Sequence, residues 1–405
     1  MFCSTLILVF SLMLLICQII QALEFKTSDD VLEDARLDTV SLIRKYGYPC
    51  EVHEVITEDG YIVEMHRIPY GRKNATAEPI GVVFLQHGLL SSSAEWVLMS
   101  PGKGLAYLLA DTGYDVWMGN ARGNTYSRKH VSLDPSSSAF WKFSWHEIGY
   151  YDVPAMIDRV LKETRVPKIQ YIAFSQGTTV FWVMMSSKPE YNGKVSAMQA
   201  LAPVGYLGNV KSPLIRAIAT FTNSLETISS ILGANEILPN GLLNEIAGQK
   251  LCIEEAITQV LCTNILFLIC GYDVEQLNVT MLPVVLGHTP AGASTRQFVH
   301  YGQLYKSGKF VQYDHGLIGN KRRYGTFKPP AYNLSAIKTP VFMHYAENDW
   351  LSTPSDVIKL FHQIPSAVGV YRVPLSTFNH LDFVFANNAT DLIYNRLVKI
   401  MRQFI

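Results

Sequence analysis

The stretch Ile169-Gln170-Tyr171-Ile172-Ala173-Phe174-Ser175-Gln176-Gly177 decides how this chain reads. Its first six residues carry no charge, and they form the apolar run of a strand buried on both faces. From Gln176 to about Ser186 the pattern becomes that of a helix. A serine at the joint of a strand and a helix forms a nucleophile elbow. Backbone strain lifts its hydroxyl out of the turn, and small residues two places before and after let helix and strand pass closely. Gly177 meets that need, whereas Ala173 stands where Gly is usual and intrudes by one methyl.

Outward from the elbow, strands alternate with helices. Val195 to Leu201 reads as the next strand, and Ile80 to Gln86 is an earlier apolar one. Tyr114 to Met118 is another, followed by the loop Gly119 to Asn124. Glu51 to Ile56 and Tyr61 to Ile68 flank Asp59-Gly60 and predict a hairpin. Asp152, with Pro154 in the first turn, predicts a helix to about Thr164. From about Tyr206 to Pro330 strand signals fade and helical stretches take over, including Ser212-Pro213 through Phe221 and Gly248 through Gly271. Alternation resumes with Val341 to Tyr345, a helix from Pro354, Val368 to Val373 and a last helix from Ala389 to Gln403. This predicts one α/β domain with a mostly parallel sheet, in two parts (residues 23–205 and 334–405), interrupted by a helical cap and lid over 206–333.

A serine hydroxyl needs a base at neutral pH, and the base needs an acid to orient it. In the order Ser, acid, His, the acid falls on Asp349, in Ala346-Glu347-Asn348-Asp349-Trp350 after the strand Val341 to Tyr345. The base falls on His380, in Phe378-Asn379-His380-Leu381-Asp382-Phe383 after Val368 to Val373. Both follow strand C-terminal ends, where α/β sheets hold their sites. The competing acids fit less well: Asp356 belongs to the next helix and Asp382 is too near the histidine to orient it. An oxyanion needs two backbone donors. These are the N–H of Gln176, next to the serine, and that of Leu89 in Gln86-His87-Gly88-Leu89-Leu90. His87 precedes the serine and follows the wrong strand for a base, so it reads as structural.

The chain has 405 residues, 34 Lys+Arg against 34 Asp+Glu, 48% hydrophobic and 17% charged residues. That balance excludes a disordered chain, and no basic run exceeds Lys321-Arg322-Arg323, which argues against a nucleic-acid binder. Nothing in the pattern calls for a cofactor or metal. Residues 1–22 read as a signal peptide with its apolar run at Leu6 to Ile16, the alternative being an uncleaved anchor. No later segment reads as a membrane span. Sequons begin at Asn74, Asn278, Asn333 and Asn388, and with the leader they point to the secretory route, either secreted or lysosomal. Cys252, Cys262 and Cys270 cluster in a way that suits a local disulfide better than a zinc site.

His87-Gly88-Leu89-Leu90, the run from Asp115 to His130 (Asp-Val-Trp-Met-Gly-Asn-Ala-Arg-Gly-Asn-Thr-Tyr-Ser-Arg-Lys-His) and Asn379-His380-Leu381-Asp382-Phe383 resemble the acid lipase family. His288-Thr289-Pro290-Ala291-Gly292-Ala293-Ser294 is similar to it as well. That family includes gastric lipase, lysosomal acid lipase and insect relatives, and the likeness runs from about Val40 to Met401. It implies an α/β-hydrolase fold with a helical cap and lid. It also implies Ser175 as nucleophile, Asp349 as acid, His380 as base, and Leu89 and Gln176 as oxyanion donors. The family's cap disulfide maps onto Cys252 and Cys262, with a spacing one residue longer here. Two further departures are Ala173-Phe174 in place of Gly-His at the elbow, and Ala346 in place of Gly before the acid. The function implied is hydrolysis of lipid esters, triacylglycerol or sterol ester, at a lipid–water interface. A lipase-like lipid carrier without turnover and an esterase for small soluble esters are the competing expectations.

Overall fold

The computed structural model describes residues 28–73, 77–220, 235–239 and 266–405. The expected signal peptide, the Cys252–Cys262 pair and the sequon at Asn74 lie outside the described residues. In chain order the elements are α1 (Asp29–Asp34), α2 (Thr39–Lys45), β1 (Glu51–Ile56), β2 (Tyr61–Ile68), β3 (Gly81–Gln86), α3 (Leu105–Asp111), β4 (Tyr114–Gly119) and β5 (Lys129–His130). Then come α4 (Val153–Thr164), β6 (Ile169–Phe174), α5 (Gln176–Ser187) and β7 (Val195–Leu201). After β7 follow α6 (Pro213–Thr220), β8 (Glu236–Ile237), a helical run over residues 266–270, α7 (Leu282–His288), β9 (Ala293–Ser294), α8 (Thr295–Ser307) and α9 (Gly316–Tyr324). The chain closes with β10 (Val341–Tyr345), α10 (Pro354–Gln363), β11 (Ala367–Arg372) and α11 (Asn395–Met401).

One sheet runs β1-β2-β4-β3-β6-β7-β10-β11, with β5 paired to β2. The hairpin β1–β2 and the β2–β4 pair are antiparallel, and every pair from β4 to β11 is parallel. From β3 the chain first builds outward to β4 and later returns to place β6 on the other side. The connections therefore diverge at the C-terminal ends of β3 and β6, where Gln86 pairs with Ala173. That divergence opens a crevice, the usual place for a site in such sheets.

β3, β6 and β7 carry no charged residue, and each is packed on both faces. Along β6 successive side chains go to opposite layers. Ile169, Tyr171 and Ala173 join a core with Phe84, Trp117 and Met198. Ile172 and Phe174 join the other, with Val83, Leu85, Val116 and Phe378.

Two expected helices differ in form. The one read from Asp152 grows out of a π-turn over Ile148–Asp152. Asp152 makes no side-chain cap there, because its carboxylate accepts instead from the Arg122 backbone N–H (3.0 Å) and Nε (2.7 Å). The last helix starts as a π-turn over Thr390–Tyr394 and tightens to a 3-10 turn at Arg402–Phe404. Among the described residues between β7 and β10 helices dominate, with the antiparallel β8–β9 pair, too short to leave a period in the sequence.

Candidate active site

Ser175 stands between β6 and α5 with φ 51° and ψ −119°, a conformation that costs an L-residue roughly 1–3 kcal/mol and persists only where its surroundings dictate it. Gly177 shows how. A Cβ at this position would collide with the backbone of Gln86 and His87, so only Gly lets α5 leave the elbow alongside the end of β3. Phe174 is buried, its ring 4.9 Å from that of His380. A Cβ on Gly88 would lie 3.1 Å from the Phe174 ring and 3.3 Å from the Ser175 Cβ, so the loop after β3 presses directly on the elbow. The aromatic side chain thus fills a wedge between that loop and the imidazole.

The loops after β10 and β11 bring the other two candidates to the serine. His380 Nε2 is 2.8 Å from Ser175 Oγ, and His380 Nδ1 is 2.8 Å from Asp349 Oδ2. Asp349 is fully buried, and its second oxygen accepts from the N–H groups of Leu351 (2.8 Å) and Ser352 (2.7 Å). With both carboxylate oxygens occupied, the acid has no freedom to swing away. Asp356 lies elsewhere, accepting from the Asn209 backbone and side chain at 2.8 Å each. Asp382 does not reach the imidazole as an acid partner. Its Oδ2 accepts from the Asn379 N–H at 2.6 Å, while Asn379 Oδ1 accepts in return from Leu381 N–H (2.8 Å) and Asp382 N–H (3.3 Å). The histidine therefore sits on a closed turn.

A strap of four residues, Cys270 to Asp273, binds both loops. The Cys270 carbonyl accepts from the N–H of Trp350 (3.3 Å) and of His380 (3.4 Å). Asn379 Nδ2 donates to the Gly271 carbonyl at 3.0 Å, and Asn348 Nδ2 to the Tyr272 carbonyl at 2.8 Å. Asp273, buried at the end of the strap, accepts through Oδ1 from the N–H groups of Glu275 (3.0 Å) and Gln276 (3.2 Å). Gly271 has φ 114° and would drive a Cβ into the Asn348 carbonyl, so no other residue fits there without movement. Beside the strap, Phe267, Leu268, Tyr272 and Trp350 line an apolar hollow of about 260 Å³.

The candidate oxyanion donors lie at the start of α5 and in the loop after β3. Gln176 is the first residue of α5, whose N–H has no partner in a preceding turn. Its side-chain Nε2 donates to Gln297 Oε1 at 2.7 Å, tying the start of α5 to α8. Leu89 lies between Gly88 and Leu90, which has φ 62° and whose carbonyl accepts from Ala291 N–H at 2.7 Å. Glu95, buried behind this loop, accepts from the Gly88 N–H through both oxygens at 3.3 Å. Burial pushes its carboxyl up to about 8 against the opposing hydrogen bonds from Ser91 and Gly88. His87 is structural in its contacts. Its Nε2 accepts from the Ala121 N–H at 3.1 Å, which leaves Nδ1–H to donate to the Gly88 carbonyl at 2.7 Å. Burial lowers it to about 4.

Glu95, Gly271, Asp273 and Gln297 escaped the reading of the sequence. Their roles depend on contacts between distant segments, and none belongs to a motif with a fixed spacing; only Asp382, two residues past the histidine, had drawn notice. Among the described residues no group of His, Cys, Asp and Glu could hold a metal ion, and Cys50 and Cys270 are free and buried.

Comparison with known proteins adds a separate line. Residues 39–100 match the model of a partial alpha/beta-hydrolase lipase region, and residues 81–218 that of the alpha/beta hydrolase fold. The chain is 46% identical to Lipase 3 of Drosophila melanogaster over 358 residues, 88% of this chain and 91% of the relative. It is 38% identical to the gastric triacylglycerol lipase of Homo sapiens over 372 residues, 91% of this chain and 92% of the relative. Among solved structures, that of DcsB in complex with its substrate analogue superposes with a TM-score of 0.52 at 13% identity, covering 88% of this chain and 100% of the other, a likeness of fold alone.

Proposed function

Because the chain belongs to the acid lipase family of α/β-hydrolases, whose members cleave carboxylic esters of lipids, we propose that it does so through Ser175, His380 and Asp349. The observation that carries the reading is the continuous chain of two 2.8 Å contacts from Ser175 Oγ through the imidazole to a buried carboxylate. Ser175 attacks the ester carbonyl while His380 Nε2 takes its proton; Asp349 accepts from Nδ1–H and stabilises the imidazolium. The N–H groups of Leu89 and Gln176 hold the oxyanion. His380 protonates the departing alcohol, and water activated by the same imidazole releases the fatty acid.

The substrate proposed is a long-chain lipid ester, triacylglycerol or sterol ester, presented at a lipid–water interface. In support, Leu268 and Tyr272 stand exposed at the apolar hollow beside the strap, and Trp350, next to the acid, lines it. We assign residues 206–333 as a cap over the crevice, and 23–205 with 334–405 as the hydrolase core. We place the protein on the secretory route; Asn333 and Asn388 are exposed and Asn278 half-buried, so these sequons are accessible to glycosylation. No helix among the described residues is long and apolar enough to cross a membrane.

The test is a panel of emulsified long-chain and soluble short-chain esters from pH 4 to 8, with Ser175→Ala beside the unaltered enzyme. The variant is expected to lose roughly a thousandfold or more in kcat/KM. Activity is expected to rise when the long-chain ester passes its solubility limit. A Ser175→Ala enzyme that keeps most of its activity overturns the triad, and a preference for soluble esters overturns the lipid substrate.

A further inference from the structure

The two most exposed large apolar side chains among the described residues, Leu317 (68%) and Ile318 (77%), open α9, and Phe327 (60%) stands in the turn after it. The same stretch carries Lys321, Arg322, Arg323 and Lys328, all exposed, and from His315 to Ala331 there is no acidic residue. Leu317 and Lys321 are four residues apart, as are Ile318 and Arg322, so each apolar side chain has a cation one turn along the same face of the helix.

The fold holds this face outward. Asn320, on α9, is buried; its Nδ2 donates to Asp314 Oδ1 (2.7 Å) and to the Phe327 carbonyl (3.1 Å), and its Oδ1 accepts from the His315 N–H (2.9 Å). One side chain thus fixes both the start of α9 and the turn that bears Phe327. Tyr324 adds a bond from its hydroxyl to the Tyr313 carbonyl at 2.9 Å. Of the four cations, Arg323 lies 3.6 Å from Glu147. Lys321 Nζ donates to the Gly325 carbonyl at 2.8 Å and sits 5.4 Å over the Phe327 ring. Among the described residues no acidic side chain pairs with Lys321, Arg322 or Lys328.

Cations alone would suit any polyanion, but exposed Leu, Ile and Phe beside them fit a lipid surface of negative charge. There the apolar groups enter the acyl layer and the cations stay at the level of the headgroups. The patch is also tied to the crevice through α8. Gln303 Nε2 donates to the Asp314 carbonyl (3.0 Å) and its Oε1 accepts from the Asp314 N–H (2.9 Å). Gln297, about 9 Å back along the same helix at 1.5 Å per residue, bonds Gln176 beside the nucleophile.

We propose that Leu317, Ile318 and Phe327, with Lys321, Arg322 and Lys328, form a docking surface for a lipid droplet that carries ionised fatty acid. The proposal rests on the reading that the chain releases fatty acid at a lipid–water interface. Each ester cleaved leaves an acyl chain in the droplet and a carboxylate at its surface, so the product of the reaction holds the enzyme where it works. With a net charge of +0 the chain as a whole supplies no pull toward that surface, and the attraction has to come from a local patch.

The experiment measures flotation with triolein droplets coated in phosphatidylcholine, at pH 8 and low salt, carrying either oleate or uncharged methyl oleate. All proteins carry Ser175→Ala, so the droplets keep their composition and binding is read whether or not the triad is right. Failure of the catalytic reading shows separately, as absent turnover of a soluble ester by the chain with Ser175 intact. Oleate is expected to raise the bound-to-free ratio at least fivefold over methyl oleate, and high salt to remove most of that gain. Lys321→Gln with Arg322→Gln, and separately Leu317→Gln with Ile318→Gln, are expected to lose most of the gain while melting at the same temperature as the parent. With Ser175 intact, both pairs are expected to keep soluble-ester turnover. Lys168→Gln with Lys338→Gln removes equal charge just before β6 and β10, at the end of the sheet away from the crevice, and is expected to keep the gain. No gain with oleate overturns the proposal, as does a gain that survives both patch variants or an equal loss in the Lys168 and Lys338 control. Retention by droplets carrying phosphatidylserine but not by those carrying oleate overturns fatty acid as the occupant.

Discussion

At the scale of single residues, the elbow is held by exclusions as much as by bonds. Gly177 is required because the carbonyl of Gln86 occupies the space of a Cβ, and Ser175 keeps its unfavourable φ of 51° because the strand behind and the helix ahead are fixed. Gly177→Ala is therefore expected to destabilise the fold by about 1–3 kcal/mol or more and to lower activity in the surviving fraction, as read by urea unfolding and by probe labelling. Phe174 marks a different bargain. Its phenyl ring packs 4.9 Å from the His380 ring and against Gly88. It supplies shape to the base but no hydrogen bond, so the imidazole's orientation depends more heavily on Asp349 and on the closed turn of Asn379 and Asp382.

At the scale of elements, the strands around the elbow were legible from the sequence almost to the residue. β6 and β7 match their expected bounds, and β3 and β4 differ by one residue, because fully buried parallel strands leave uninterrupted apolar runs. Ser175, Asp349 and His380 were legible for a related reason, since each ends such a run in a loop. The supports were not. Arg122 illustrates the gap: it lies in a loop yet is fully buried, bonding Asp152 (2.6 Å) and Asp59 (2.6 Å) and stacking 3.9 Å from the Tyr61 ring. Nothing in the spacing of Asp59, Arg122 and Asp152 announces that they converge. Arg122→Ala would leave two carboxylates without their cation and is expected to cost about 3–5 kcal/mol in a denaturant melt, against a smaller loss for the double variant with Asp152→Asn. The same difficulty hid the strap, whose ties are mostly main-chain carbonyls that any sequence provides.

At the scale of the whole molecule, buried titratable groups of two kinds set the range of pH in which it is stable. Glu95 and Asp382 are raised to about 8, so the folded chain holds protons that the unfolded chain releases near 4. Their contribution is full below about 4 and is lost as pH climbs to 8. His87 is lowered to about 4, His344 to about 3 and His300 well below its usual value, all chiefly by burial. Their contribution is full above roughly 6.5 and is lost as pH falls toward 4 and 3. Between about 4 and 6.5 the two trends offset each other; above 6.5 only the loss from the carboxyls remains. A melting temperature with a weakly acidic plateau, falling between pH 6.5 and 8 and again below 4, is the expected result. Glu95→Gln should flatten part of the upper fall, and an unchanged slope would count against Glu95 as its source. The strap has a consequence for how the molecule can be rebuilt. Cys270 to Asp273 belongs to the segment between β7 and β10 yet holds the loops of the acid and the base, so a foreign insertion spliced in as a whole would arrive without those ties. A working chimera has to place its downstream junction before Cys270, keeping the native strap with the core it serves.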